Sequence, residues 1–208
     1  MQPSHSVEAT QYPQSLDQLL RDAEHAHGHL CAGQVLGVRM AMFGLELLGI
    51  KDPRGADRKR LVTFVEIDRC MTDAIGVVTG CRLGKRALKF RDWGKVAATF
   101  VDLVNNRAVR IAAREGSKVR ARELHPEIEN KNQQQMLAYR ELLDEELFDV
   151  EWVKVQLPPE ELPGYKGERI LCARCGEGIN FRREVRVNGE ILCKSCAGER
   201  YYQPLEPA

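Results

Sequence analysis

Four cysteines near the C-terminus, Cys172, Cys175, Cys193 and Cys196, form two C-x-x-C pairs with 17 residues between them. Each pair places two soft thiolates on a tight turn, and the interval suits a four-thiolate zinc site. With all four positions filled by protein, no place remains for a catalytic water, so the spacing predicts a structural zinc. A second group of soft donors lies upstream: His25, His27, His29 and Cys31 fall within seven residues, and Cys70 and Cys81 follow. Glycines at 28 and 33 let that loop gather imidazoles and a thiolate around one point. His27, His29, Cys31, Cys70 and Cys81 are therefore the candidate ligands of a second metal ion in the core. Cys31, Cys81 and Lys85 are the candidates for covalent or anion-binding catalysis, a thiolate acting as nucleophile and the lysine holding an anion.

These residues need elements to position them. Ser15 starts a helix as its cap, with Gln18 reaching back, and Leu16, Leu19, Leu20 and Ala23 share a face. A second helix over 34–48 is apolar around most of its circumference and ends at Gly49. A β-branched run at 61–67 reads as a strand. Thr72 or Asp73 caps a short helix through Val78. Strands are expected at 95–104 and 108–113, turned by Asn105-Asn106, then a long helix over 126–147 and a closing strand at 148–156. Helices and strands in no regular alternation give an α+β class. Trp93 and Trp152 are read as packing residues.

The chain divides into a flexible N-terminus (1–14), an α+β core (15–156), a linker (157–170) rich in proline and glycine at its start, and a cysteine-rich module (171–208). That module is too short to bury much apolar surface, so a metal is physically useful there. Val185 and Val187 before Asn188-Gly189, with Ile191 after, signal a hairpin, and a short helix is expected over 194–202.

Among 208 residues, 43% are hydrophobic and 29% charged, and the net charge is +1. Such a balance gives no global attraction to nucleic acid or anionic lipid. No apolar run reaches the length of a membrane span, and the polar N-terminus does not resemble a secretory signal. Seven cysteines, four in metal spacing, suit a reducing cytoplasm better than a disulfide framework. Basic side chains of the tail (Arg174, Arg182, Arg183, Arg186, Lys194, Arg200) are offset by glutamates, which favours a protein-docking module over nucleic-acid binding. No phosphate-binding glycine loop and no serine nucleophile elbow is present.

The run His27-Gly28-His29-Leu30-Cys31-Ala32-Gly33 resembles the H-G-H-x-C-x-G signature of the FmdE family of formylmethanofuran dehydrogenase components. Glu66 to Ile75, Thr79 to Lys85 and Asp92-Trp93-Gly94-Lys95 are similar to its later blocks, in the same order. Ala32 stands where proline is frequent, and Arg82 where threonine is frequent. The tail is similar to the C4 finger fused to some members, and shares its C-x-x-C-G-E opening with DksA/TraR-type fingers. The resemblance implies an α+β core forming an intertwined homodimer, with the finger as an accessory domain. It does not imply formyl-group redox chemistry, since the pterin chemistry of that dehydrogenase resides in its other components. The expected function is a metal-binding accessory or sensing protein whose finger docks a protein or nucleic-acid partner. The alternative is an FmdE-like enzyme or enzyme component using the core His/Cys site.

Overall fold

A computed structural model describes residues 14–205. The expected flexible N-terminus, apart from Gln14, lies outside the described residues. The chain forms two compact units, Met1–Gln156 and Leu157–Ala208.

The first unit is an α+β structure built on a five-stranded sheet. Its strands are β1 (Leu61–Val65), β2 (Leu88–Phe90), β3 (Ala97–Asp102), β4 (Arg107–Ala113) and β5 (Phe148–Val153). Their order is β2-β1-β3-β4-β5, with β1 and β2 parallel and every other pair antiparallel. The helices are α1 (Leu16–His27), α2 (Ala32–Leu48), α3 (Cys70–Thr79), α4 (Ser117–Leu124), α5 (Lys131–Glu141) and α6 (Asp144–Leu147). Helix α2 is buried along most of its length because it packs against α1, α3, α5, β3 and β4 at once. The core there joins Val35, Val38 and Leu45 of α2 to Phe100, Val109 and Ile111 of the sheet.

Several local expectations are corrected. Ser15 does cap α1, accepting from the Gln18 amide at 3.3 Å, but the Gln18 side chain turns outward to Asp22 instead of reaching back. Helix α3 begins at Cys70, before Thr72 and Asp73: the Thr72 hydroxyl donates to the Ile67 carbonyl and Asp73 is engaged with His27. The long helix expected over 126–147 is broken. Arg39 of α2 donates to the carbonyls of Tyr139 and Leu142 and to the Asp144 carboxylate, each at 2.8 Å, so a half-buried guanidinium ends α5 and fixes the turn into α6. Trp93 and Trp152 do not pack inside; they are 62% and 50% exposed, the latter under the Arg107 guanidinium.

The second unit holds two small antiparallel ladders, β6 (Ile170–Leu171) with β7 (Gly178–Ile179) and β8 (Val185–Val187) with β9 (Glu190–Leu192). Asn188-Gly189 turns the second, as the two-residue signal requires. The helix expected over 194–202 does not form. The Cys196 amide donates to the Cys193 sulfur, which holds that stretch as turns.

Candidate metal centres

Three helix ends meet in the first unit. His27 is the last residue of α1, and Gly28 follows at φ +95°, a left-handed stop that only glycine takes at little cost. The chain doubles back through His29 and Leu30 to Cys31, the N-cap of α2. Cys70 opens α3. Two glycines one helical turn apart on α2 let α3 approach closely. A Cβ on Gly33 would meet Cys70 Cβ at 3.2 Å, and one on Gly37 would meet Met71 O at 2.6 Å. The donor atoms of His27, Cys31 and Cys70 consequently lie within 4.8 Å of one another, all half-buried.

Hydrogen bonds hold this arrangement. The Asp73 carboxylate lies 2.8 Å from His27 Nδ1, so an Nδ1–H donates to it, and in the neutral ring Nε2 is the nitrogen left with a lone pair for an ion. Asn132 of α5 accepts from the Ala32 amide at 2.9 Å, closing the first turn of α2 without a charge. Neither α2 nor α3 has a side-chain cap at its own N-cap residue, and helix N-termini favour thiolates. Burial, then the neighbouring Cys31 thiol, pushes the Cys70 thiol above its ordinary range. A cation would remove that conflict between two close sulfurs.

The remaining candidates fall elsewhere. His29 is exposed and its ring leans on His27 at 4.8 Å between centroids, outside the converging set. Cys70 and Cys81 flank the same helix: α3 has ten residues, which separates its ends by about 15 Å. One ion cannot bind both. Cys81 is 2% exposed, with the Thr63 hydroxyl 3.6 Å from its sulfur, and burial raises its thiol. Lys85 is exposed in a 3-10 turn, Leu83–Lys85, on the Cys81 side. Of the three catalytic candidates, only Cys31 sits in the cluster. Two residues that sequence reasoning does not assign to the site belong to it: Asp73, whose place in a first turn suggests a cap, and Gln34, which donates to the Cys70 carbonyl at 2.6 Å.

In the second unit all four cysteine sulfurs lie within 4.8 Å. Cys172 and Cys175 follow β6 on a turn closed by the Gly176 amide on the Cys172 carbonyl, and Cys193 and Cys196 follow β9. Arg174 donates to the Cys196 carbonyl at 2.7 Å, tying the two turns together. The amides of Cys175 and then Cys193 hold the Cys172 thiol down to about 6. The Glu177 amide would lower Cys175 as well, but burial and the thiols of Cys172, Cys196 and Cys193 outweigh it and push Cys175 up to about 12. Four thiolates this close can coexist only around a cation, and a tetrahedral sulfur set fits zinc. The buried residues around it are few: Cys172, Ile179, Leu192 and Cys196.

The family model described as FmdE, molybdenum formylmethanofuran dehydrogenase operon, matches residues 26–154, from just before His27 to the end of the sheet. The chain belongs to the FmdE family. The prokaryotic DksA/TraR C4-type zinc finger matches residues 165–202, so this FmdE chain carries a finger whose clustered cysteines support a structural zinc. A probable S-adenosyl-L-methionine-binding protein of Archaeoglobus fulgidus is 35% identical over 214 aligned positions. That match takes in 91% of this chain but only 55% of the relative, so the chain spans about half of the relative's length. The crystal structure of a tungsten formylmethanofuran dehydrogenase FmdE-like protein from Syntrophus aciditrophicus superposes with a TM-score of 0.61. It covers 92% of this chain and 96% of that one at 20% identity, which shows the shared fold. Among the described residues no helix is long and apolar enough to cross a membrane.

Proposed function

We propose that this FmdE-family chain is an accessory or sensing protein built on two ions: a closed zinc in the finger and an open centre at His27, Cys31 and Cys70. The observation that carries the reading is the convergence of two thiols and one imidazole within 4.8 Å, with Asp73 hydrogen-bonded to the imidazole Nδ1. Two sulfurs and a nitrogen suit zinc or a similarly soft divalent ion, and three protein donors leave one tetrahedral position free. A bound ion would supply Lewis acidity to a ligand in that position. The chain's own part is to orient the His27 ring through Asp73, to set both sulfurs at helix N-termini, and to limit access by half-burying all three donors.

The finger would dock a protein partner, since its basic and acidic side chains alternate and give no continuous cationic track. Self-association as a homodimer is part of the same proposal; β5 ends the sheet, and Val150 and Trp152 on it are exposed. Seven free thiols fit a reducing cytoplasm. S-adenosyl-L-methionine, carried in the name of the Archaeoglobus relative, is a ligand to titrate against the metal-loaded chain.

The second reading, an enzyme or enzyme component, draws on the same free position, because catalytic zinc sites keep one open. It has to manage without Cys81 and Lys85, which stand at the other end of α3. Elemental analysis tests the shared premise. Purified chain should carry two ions, and Cys31→Ser should carry one. A single ion unaffected by Cys31→Ser would remove the core centre and both readings with it.

A further inference from the structure

Gln34 lies in the first turn of α2, three residues after Cys31, and is 0% exposed. A helical side chain covers the turn N-terminal to its own Cα, so this one lies over the turn that begins at Cys31. Its Nε2 donates to the Cys70 carbonyl at 2.6 Å. The amide therefore spans the two helix starts that carry the thiols. Its other end is different: Oε1 is buried and has no hydrogen-bond partner among the described residues. A buried carbonyl oxygen without a donor carries the full cost of its lost hydration. A residue chosen only to tie α2 to α3 would need the donor end alone.

We propose that Gln34 Oε1 accepts a hydrogen bond from the ligand in the open position beside His27, Cys31 and Cys70. It thereby selects ligands whose ion-binding atom carries a proton. Water, alcohols and amine-type nitrogens meet that requirement, whereas aprotic anions such as azide leave Oε1 unpaired again. The inference rests on the reading of this cluster as an ion centre, and it gives that centre a ligand class and Gln34 a positioning role.

The experiment uses the full chain loaded with cobalt, taking the core spectrum as the difference from Cys31→Ser. Azide and neutral hydroxylamine are titrated separately into the unmutated chain, Gln34→Met and Gln34→Leu, with a thermal melt to check that each variant is folded. The expected result is azide binding about tenfold tighter in both variants, as the penalty of an unpaired acceptor disappears. Hydroxylamine should weaken, and the core cobalt should be retained. Unchanged azide affinity would overturn the proposal. So would loss of core cobalt from a folded variant, which would make Gln34 itself a ligand. Should neither variant fold, the unmutated chain decides: hydroxylamine must bind it more tightly than azide, and the reverse order refutes the selection. An unmutated chain with no spectral difference from Cys31→Ser would mean that the centre itself is absent, a failure distinct from these.

Discussion

Asp73 accepts a hydrogen bond from His27 Nδ1–H, and this contact leaves Nε2 of the neutral ring as the nitrogen able to bind an ion. Changing Asp73→Asn puts an amide there whose NH2 group donates to Nδ1, favouring the tautomer that protonates Nε2. Core metal affinity should fall roughly 10–100-fold in chelator competition while the finger's ion is held as before. An unchanged core affinity would mean that the carboxylate does not orient the ring. The sequence announces His27 and Cys31 through their spacing, but not Asp73, whose position in a first turn reads equally well as a cap. Nor does it announce Gln34, since a lone glutamine in an apolar helix carries no periodic signal. Cys81 resembles a ligand in sequence because it is close to Cys70 along the chain. A helix between them turns that proximity into distance.

The approach of α2 to α3 depends on a missing side chain at Gly37. An alanine there would bring Cβ to 2.6 Å from Met71 O and 2.8 Å from Met71 Cα, both backbone atoms that cannot swing away. Gly37→Ala should cost about 1–3 kcal/mol in urea denaturation. It should also weaken the core ion, because Cys70 moves with Met71; equal stability would contradict the close packing. A second element-level device joins the start of β1 to the end of β3. Burial alone would raise the Asp102 carboxyl, but hydrogen bonds from Arg60, Asn105 and the amides of Val104 and Asn105 prevail and lower it. A lowered carboxyl stabilises above its unfolded value, and that contribution is lost as pH falls through the folded one. Denaturation midpoints should drop below about pH 4, and Asp102→Asn should flatten that drop while costing about 3 kcal/mol at neutral pH. A variant with the same acid profile would contradict it. The strands β3 and β4, the buried α2 and the Asn188-Gly189 hairpin are legible in the sequence because periodicity and turn residues are local. The break between α5 and α6 is not, because its cause is Arg39, about a hundred residues away in sequence.

Across the molecule the two units differ in what holds them. The first has a continuous apolar core from α1 to β5, whereas the second surrounds its cysteines with a handful of buried side chains. Metal binding in such a small unit is folding free energy. A strong chelator should abolish amide-exchange protection at β6 to β9 while β3 and β4 keep theirs. Protection lost together in both regions would contradict this division. The fold class follows from the mixture of elements, yet the strand order does not, since the parallel β1–β2 pair involves a three-residue strand too short to leave a pattern.

On the proposed function the chain builds two chemically different metal sites, one with four sulfurs and one with two. X-ray absorption at the zinc edge of the fully loaded chain counts them directly. Two zinc ions per chain should average about three sulfurs each at about 2.3 Å, with nitrogen or oxygen completing the shell. One zinc per chain with four sulfurs would leave His27, Cys31 and Cys70 without an ion and contradict the account.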